Sequence, residues 1–576
     1  MSNYEKTYFE SSQSLYSRIS GRSTTNDNSN RMESVSVFRD GLSTCHLASS
    51  QVTGGKNCRW SPRNKGGVPM DFDSKANLVY ADGSDAHSLL IGATGSKKSR
   101  LVVMPTVRIL GAAGESMVIC DPKAEIYQRT SGYLKQLGYD LHVVNLRDPS
   151  KGDGWNILEI PFMLYNSGEI DKACEYINDQ AAALIPINSK DPYWDYSSRD
   201  LYVGLVLLLF ELSIRFGQGL RSVNIQNLLR LKTDLFTSTI SREIKKTDLW
   251  AFADKHELIR TKLLGIVICP SDTMGCILSV FDQYLSCFSL QPQIINLLNE
   301  TTLKLDRIGY EKTAIFLIMP DEKSTYHKLI TVFIKQVYEL LIDQAYTDRQ
   351  DNGFPIRVNF LLDEFSSLPT ISDFPQMIAA SRSRNIRFTL VIQSKHQIQQ
   401  RYEEEAETIQ SNCANWMFLN SREVPLLQEI STLAGEKGNK PLIPVSRLQH
   451  LDKEKGECLI FAGRLYPYIA CLPDISEYDH DNFREWPMPQ RNHESDKIIS
   501  FVPMLEQQRN ADSSNQTLMD RMGQLSFSDV NVDDLVKKID AKIAELEAEE
   551  AAERARLQAS STVPSAVVPY RQDPNG

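Results

Sequence analysis

The chain has 576 residues, of which 41% are hydrophobic and 24% are charged, and its formal net charge is −10. These proportions are near those of average globular proteins, so a fully disordered chain, a collagen and a disulfide miniprotein are excluded. The length predicts three to four structural units, or one large α/β domain that carries an insertion. The acidic balance argues against a protein that coats DNA with a basic surface, although local positive charge can still line a channel. The ten cysteines form no Cys-x-x-Cys pair, which predicts reduced thiols.

The first 57 residues are polar and lack periodicity, so we expect the segment 1–57 to be disordered. It contains no apolar run that could act as a signal peptide. The most apolar stretch, Leu201–Phe210, has ten residues before Glu211, fewer than the ~18 that span a bilayer. We therefore expect a buried core helix there, and a soluble chain without a transmembrane segment.

From about Asn77 onward, short apolar runs alternate with stretches of helical length. Runs without polar alternation are typical of a mostly parallel sheet that is covered by helices on both faces. The predicted strands are His87–Ile91, Ser116–Cys120, Leu141–Val144, Thr313–Met319, Val358–Leu362, Phe388–Ile392, Trp416–Leu419 and Cys458–Phe461.

The strand pattern stops between residues 166 and 300. The segments there with helical spacing and length are Ile170–Ile185, Ser198–Phe216 and Met274–Leu290. Because the strand pattern resumes afterwards, we predict an all-α domain (166–300) inserted into an α/β domain that comprises residues 58–165 and 301–482.

A polar tail, 483–576, follows the predicted domains. Within it, the segment 532–557 carries apolar residues with a heptad spacing, and an acidic run overlaps the end of that segment. Two heptads are short for a coiled coil that is stable alone, so a solvated amphipathic helix and a partner-binding helix both remain open.

The strongest motif follows the first predicted strand of the α/β domain. Residues 92–99 match the phosphate-loop (Walker A) pattern G-x-x-x-x-G-K-[ST], except that Lys97 stands at the second glycine. In such a loop, main-chain amides hold phosphates, Lys98 reaches the β and γ oxygens, and the Ser99 hydroxyl binds Mg²⁺. The predicted cofactor-binding residues are Gly92, Thr94, Gly95, Ser96, Lys97, Lys98, Ser99 and Arg100.

Lys97 weakens this prediction. The backbone at that position passes close to a bound phosphate and leaves little room for a Cβ atom. An ordinary strand–turn–helix with two surface lysines therefore remains an alternative on the motif alone.

Two later strands end in polar side chains that suit the same chemistry. Asp363 and Glu364 follow Val358–Leu362, where the aspartate would hold Mg²⁺ and the glutamate would orient or deprotonate the attacking water. Gln393 follows Phe388–Ile392 and could sense the γ-phosphate. A solvated acidic turn is the common alternative for the acidic pair, but its position after a phosphate loop favours a nucleotide site.

Arg382 and Arg384 precede the strand that leads to Gln393. Either arginine could stabilise the charge of a transition state, including at the nucleotide of a neighbouring subunit. Each of the two could also be an ordinary surface arginine without a catalytic role.

These motifs, in this order, resemble the TraG/TraD-like type IV coupling proteins, the DNA-pumping ATPases of conjugation and type IV secretion. The resemblance covers roughly residues 60 to 480, and the predicted insertion lies where that family has its all-α domain. Further matching segments are Cys120–Glu125, Trp155–Leu158, Leu362–Pro369, Ser381–Arg387, Ile392–Ser394 and Gly435.

The resemblance implies a RecA-like P-loop motor domain that uses ATP and Mg²⁺, and a hexameric ring through which single-stranded DNA passes. It also implies docking to a relaxase and to membrane-embedded secretion machinery, so that the relaxase–DNA substrate is delivered to the channel. By position, the implied catalytic residues are Glu364, Arg382 and Gln393, and the implied metal ligands are Ser99 and Asp363.

Two departures from the family keep alternatives open. Typical members carry N-terminal transmembrane helices, which this sequence does not show, so we expect a cytoplasmic chain that is recruited to the inner face of the plasma membrane. Lys97 leaves open a non-hydrolysing or regulatory docking protein with the same fold. A related P-loop motor for chromosome segregation or DNA packaging is a third hypothesis, against which Asp121–Glu125 and Trp155–Asn156 argue.

Overall fold

The computed structural model describes residues 43–46, 65–289, 291–347, 353–463, 465–478, 484–491, 498–524, 536–537, 539–544 and 548. The segment predicted to be disordered lies outside the described residues, apart from a short strand at Ser43–His46. Of the predicted tail helix, the described residues are helical, and Val536, Ile539 and Ile543 are about half exposed. Within the described part of the chain, no helix is long and apolar enough to cross a membrane.

A nine-stranded sheet forms the centre of the compact unit that ends at Phe501. In chain order the strands are β1 (Ser43–His46), β2 (Pro69–Asp73), β3 (Leu78–Ala81), β4 (Ser88–Gly92), β5 (Ser116–Asp121), β6 (Asp140–Asn145), β7 (Thr313–Ile318), β8 (Val358–Leu362), β9 (Ile386–Ile392), β10 (Asn415–Asn420), β11 (Glu436–Lys437), β12 (Lys440–Pro441), β13 (Glu457–Ala462) and β14 (Tyr468–Cys471). The order across the large sheet is β14-β13-β10-β4-β9-β8-β5-β7-β6, while β1-β3-β2 and β11-β12 form two small sheets.

Seven neighbouring strands of the large sheet, from β10 to β6, are parallel, as the sequence predicts. The predicted strand at Cys458–Phe461 is the exception, because β13 runs antiparallel to β10 and places Leu459 opposite Phe418. Strand β14, absent from the prediction, then pairs antiparallel with β13. A short loop after Ala462 returns the chain directly beside β13, whereas a parallel neighbour would need a long crossover.

The described helices follow in chain order, and the last of them, Val502–Gln524, belongs to the second unit, which begins at Val502. They are α1 (Met104–Ala113), α2 (Glu125–Gln136), α3 (Glu159–Asn166), α4 (Ile170–Leu184), α5 (Tyr193–Arg215), α6 (Ile225–Leu235), α7 (Ser241–Ile244), α8 (Asp248–Ala253), α9 (Glu257–Ile268), α10 (Ser271–Ser289), α11 (Pro292–Asn299), α12 (His327–Thr347), α13 (Phe374–Ser381), α14 (Lys395–Tyr402), α15 (Glu405–Asn412), α16 (Val424–Leu433), α17 (Val445–Gln449), α18 (Ile475–Tyr478) and α19 (Val502–Gln524). A π-helical turn, Ser99–Val103, leads into α1.

The large sheet has apolar layers on both faces, as its unalternating strands predict. One face packs against α1 and α2, and Leu361 and Val391 belong to that buried cluster. On the other face, Phe360 stacks on Phe388 with ring centroids 4.9 Å apart, and Phe374 of α13 meets Phe388 edge-on. This packing holds β8 and β9 side by side, so the residues that end these strands are fixed relative to one another.

Helices α3 to α11 lie between β6 and β7, and no described residue from 146 to 312 belongs to a strand. The helical stretch begins at Glu159 rather than at residue 166 and ends at Asn299. Within it, Leu201–Phe210 is buried in α5, which confirms the predicted core helix.

The two ends of this helical insertion are tied together beside the sheet. The Asn156 main-chain N–H donates to Thr301 Oγ1 at 2.9 Å, which joins the start of the insertion to its end. The Ile157 carbonyl accepts hydrogen bonds from the amide nitrogens of Gln180 on α4 and Gln336 on α12, both at 2.8 Å. One main-chain oxygen therefore links a helix of the insertion to a helix that packs on the sheet.

Candidate functional site

Most of the site residues predicted from the sequence lie at the carboxyl edge of the parallel strands. Gly92 ends β4, Asp363 follows β8 and Gln393 follows β9, and β9 lies between the other two strands. Because the carboxyl ends of parallel strands share one edge, these residues come together, as is typical of ligand sites in open α/β sheets.

The loop after β4 has the backbone of an anion-binding turn. Gly92 has no room for a side chain, since a Cβ atom there would lie 2.6 Å from Ser96 Oγ. Gly95 and Lys97 have φ values of +78° and +64°, while Ser96 is not among the positive-φ residues and Lys98 has φ −45°. When right-handed and left-handed backbone conformations alternate in this way, successive main-chain N–H groups point into one shared concavity. Such a concavity can bind a phosphate.

Lys97 adopts the left-handed conformation that glycine adopts without strain. For an L-residue this conformation costs about 1–2 kcal/mol. The side chain leaves the loop, and its Nζ lies 2.6 Å from Glu454 Oε2. The motif's preference for glycine at this position therefore has a backbone cause in this chain.

Lys98 lies beneath the loop and is only 9% exposed. Its Nζ donates to the main-chain oxygens of Gly92 at 2.6 Å and Ala93 at 3.3 Å. Burial lowers the pKa of Lys98, while the charges of Asp363 and Glu364 oppose that shift. The ammonium group thus points at the loop's interior, where the motif places phosphate oxygens.

Ser99 and Asp363 form the predicted metal-binding pair. Ser99 Oγ donates to Asp363 Oδ2 at 3.0 Å. Burial raises the pKa of Asp363 to about 6, although the Ser99 hydrogen bond and the Lys98 charge oppose it. Above that pH the pair offers a carboxylate and a hydroxyl, the oxygen ligands that Mg²⁺ prefers.

A short hydrogen-bonded chain connects Glu364 to the phosphate loop. Thr94 Oγ1 donates to Gln393 Oε1 at 3.1 Å, and Gln393 Nε2 donates to Glu364 Oε1 at 3.4 Å. Glu364 has φ +56°, and its carbonyl accepts from both the N–H and the hydroxyl of Ser367. A strained backbone that neighbouring bonds hold in place is typical of functional sites.

Ser96 and Arg100 differ in their fit to a nucleotide. Ser96 Oγ is buried and has no hydrogen-bond partner among the described residues, so a phosphate oxygen could satisfy it. Arg100 is not directed into the loop. Its guanidinium binds Asp474 through Nε at 2.8 Å and Nη2 at 2.5 Å.

Arg382 lies away from the other predicted site residues, at the amino edge of the sheet. It precedes β9, whose seven residues span about 20 Å, and its Nη2 binds Asp85 Oδ1 at 3.1 Å. It therefore cannot reach the phosphate loop of its own chain, and a contact to a neighbouring subunit's nucleotide stays a prediction.

Two further residues at this site were named from the sequence only as part of the family resemblance, without a role in the site. Asp121 ends β5, which lies next to β8, and burial raises its pKa to about 7. Lys123 lies near enough for its charge to lower the pKa of Lys98. Asp121 could have been found by the rule that selected Asp363, since both carboxylates end neighbouring buried strands.

A family model and several solved structures are similar to this chain. Residues 51–440 match the family model described as type IV secretory system conjugative DNA transfer. No similar sequence was found among curated proteins. Among solved structures, the chain is similar to the bacterial conjugative coupling protein TrwBdeltaN70, with 17% identity, a TM-score of 0.48, and coverage of 74% of this chain and 93% of that chain.

Two further solved structures are similar. TrwB in complex with ADP and Mg²⁺ shares 16% identity at a TM-score of 0.47, over 75% of this chain and 93% of that chain. VirB4 of Thermoanaerobacter pseudethanolicus shares 15% identity at a TM-score of 0.41, over 74% of this chain and 98% of that chain. Since the family model matches more than half of the sequence, the chain belongs to the conjugative DNA transfer family of type IV secretory systems.

Proposed function

We propose that this chain is an ATP- and Mg²⁺-dependent translocase of single-stranded DNA or nucleoprotein, which delivers a relaxase–DNA substrate to a type IV secretion channel. The observation that carries the proposal is the meeting of Lys98, Ser99, Asp363, Glu364 and Gln393 at one edge of the sheet. TrwB, which has a similar fold, is described in complex with ADP and Mg²⁺ and with a non-hydrolysable ATP analogue.

Each side chain has a chemical task in ATP hydrolysis. Lys98 would exchange its two carbonyl contacts for phosphate oxygens, and Ser96 Oγ would donate to one of them. Ser99 and Asp363 would hold Mg²⁺, which supplies positive charge next to the phosphates. Glu364 would orient and deprotonate the attacking water, and Gln393 would hold the Glu364 carboxylate in position.

Arg382 supports an oligomeric form of this proposal. Since it lies on the edge opposite its own phosphate loop, it can act as an arginine finger only at a neighbour's nucleotide. A hexameric ring with DNA in a central channel supplies such a neighbour for every subunit. We propose a cytoplasmic ring that docks a relaxase and is recruited to membrane-embedded secretion machinery.

The proposal is tested with the purified full chain by measuring Mg-ATP affinity and ATP turnover, with and without single-stranded DNA. Replacing Glu364 with Gln should lower DNA-stimulated turnover at least about 100-fold, because the water loses its base, while nucleotide affinity changes little. Glu407→Gln, which removes an exposed carboxylate on α15, is the matched control and should leave turnover unchanged. Unchanged turnover in Glu364→Gln would refute the assigned role.

Lys97 favours a second candidate function, a docking protein with the same fold that does not hydrolyse ATP. The motif's glycine position carries a strained lysine here, at φ +64°. A docking protein should show no DNA-stimulated turnover in the wild-type chain. A gain of nucleotide affinity in Lys97→Gly would then show that this one residue is responsible.

A further inference from the structure

The antiparallel strands bring two acidic residues to the phosphate loop. Because β13 runs opposite to its neighbour β10, its first residues lie at the carboxyl edge of the parallel strands. Strand β14 runs back, so that Cys471 at its end lies opposite Glu457 at the start of β13. The turn before β13 and the segment after β14 therefore both reach the edge where the phosphate loop lies.

Each of these two segments binds one cation of the phosphate loop. Glu454 precedes β13 and binds Lys97, with 2.6 Å between Oε2 and Nζ. Asp474 follows β14 and binds Arg100 with both carboxylate oxygens. We call Glu454 and Asp474 the acidic clamp. The clamp binds the two cations that flank the motif residues Lys98 and Ser99 and leaves Lys98 pointing into the loop.

The turn that carries Glu454 is itself ordered by hydrogen bonds. Asp452 Oδ1 accepts from the main-chain N–H groups of Glu454 at 3.0 Å and Lys455 at 3.3 Å. Glu457 Oε2 accepts from the Asp452 N–H at 2.8 Å, and Arg447 binds the other oxygen of Glu457. Glu454 is thus presented to Lys97 from a defined turn rather than from a loose loop.

We infer that Glu454 is a positioning residue for the phosphate loop, since it holds the Lys97 ammonium group outside the loop and so keeps this positive charge away from a bound phosphate. The inference rests on the proposed nucleotide site. While Lys97 is bound to Glu454, Lys98 is the one lysine of the loop whose ammonium group would contact the phosphates. The side chain of Glu454 is 68% exposed, so the contact is one that a phosphate can compete with.

A double-mutant cycle tests this inference on the full-length chain. Mg-ATP dissociation constants are measured for the wild type, Lys97→Gly, Glu454→Gln and the double variant, at low and physiological salt. Glu454→Gln should tighten binding about fivefold at low salt, because Lys97 is released toward the phosphates and a nearby negative charge is lost. The same change should have less than about a twofold effect when residue 97 is Gly, because the lysine that Glu454 controls is absent.

Glu407→Gln is the control for the loss of one exposed carboxylate and should leave the dissociation constant unchanged. The inference would be overturned, while the proposed function stands, if Glu454→Gln left nucleotide binding unaltered or weakened it. It would also be overturned if Glu454→Gln changed binding equally with Lys and with Gly at position 97. Binding by Lys97→Gly in the absence of wild-type binding would also overturn it, since Lys97 would then block the loop. Absence of binding in all four chains would overturn the proposed nucleotide site itself.

Discussion

The buried charged groups at the two ends of the parallel strands, the amino edge and the carboxyl edge of the central sheet, differ in how fully they are paired. At the amino edge, Arg387 is 4% exposed, and every nitrogen of its guanidinium has a partner. Its Nε donates to Asn359 Oδ1, Nη1 to the carbonyls of Asp82 and Ser84, and Nη2 to the Gly66 carbonyl beside the Glu115 carboxylate. Arginine and carboxylate are satisfied within the chain, so this edge is built for stability.

At the carboxyl edge, buried polar groups keep unused capacity. Among the described residues, Ser96 Oγ lacks a hydrogen-bond partner and Lys98 Nζ binds only main-chain carbonyls. Burial also raises the pKa of Asp363 to about 6. Lys97 and Glu364 also adopt strained left-handed backbones. The difference teaches that the same fold satisfies the buried polar groups of one edge internally and leaves those of the other edge able to bind a ligand, which favours the carboxyl edge as the functional site.

The largest expected effect is on the amino edge. Arg387→Met should destabilise the chain by about 3–5 kcal/mol, because Glu115 would lose the nearer of its two buried guanidinium partners and the oxygens that Arg387 binds would lose a donor. The free energy of unfolding is measured in urea. Arg384→Met, at a partly exposed arginine three residues earlier in the chain, is the control and should change this energy by less than about 1 kcal/mol. A similar loss of unfolding free energy in both variants would contradict the interpretation that the buried pairing of Arg387 stabilises the amino edge.

The opposite sign is expected at the carboxyl edge. Because the pKa of Asp363 lies at about 6, above its ordinary 3.8, the folded chain binds this proton more tightly, and stability falls as pH rises from about 4 to 6. Asp363→Asn should remove that loss and stabilise the chain by roughly 1–3 kcal/mol at pH 7 without Mg²⁺, while abolishing ATP turnover. Unfolding curves at pH 4 and pH 7 check this, because the gain should vanish at pH 4. Destabilisation at pH 7 would contradict the interpretation.

Backbone strain at the phosphate loop gives a smaller effect. Lys97→Gly should raise the free energy of unfolding by about 0.5–1 kcal/mol, since relief of the left-handed conformation exceeds the entropy cost of glycine. Ser96→Gly, at the adjacent residue without a positive φ, should lower it by a similar amount. Denaturant titration of both variants measures the difference. A loss of stability in Lys97→Gly would show that the Glu454 contact outweighs the strain.

The smallest effect is expected at the exposed part of the amino edge. The Arg382–Asp85 pair is about half exposed on both sides, so Asp85→Asn should change the free energy of unfolding by no more than about 0.5 kcal/mol. The measurement is again urea unfolding, repeated at high salt, where the difference from wild type should disappear. A larger loss of unfolding free energy would show that the Arg382–Asp85 pair contributes to stability as the buried Arg387–Glu115 network does.

The sequence predicts the parallel strands and the residues that end them, because long apolar runs and strand-end polar residues are local patterns. Direction is not local, so the antiparallel β13 could not be distinguished from its parallel neighbours. The Lys97–Glu454 and Arg100–Asp474 pairs join residues 357 and 374 positions apart, and no spacing indicates them. The position of Arg382 could have been predicted from the sequence. Arg382 precedes the strand that Gln393 follows, so the two residues must lie at opposite ends of that strand.

The bond between Asn156 and Thr301 has a consequence for how such a chain can change over time. Because the insertion leaves and rejoins the sheet at one point, its length and helix content can vary without shifting any strand register. The Ile157 carbonyl, which accepts hydrogen bonds from Gln180 and Gln336, then holds the first helices of the insertion against the helix that packs on the sheet. Related chains could in this way carry helical insertions of different length and shape while the sheet and the residues at its carboxyl edge stay the same.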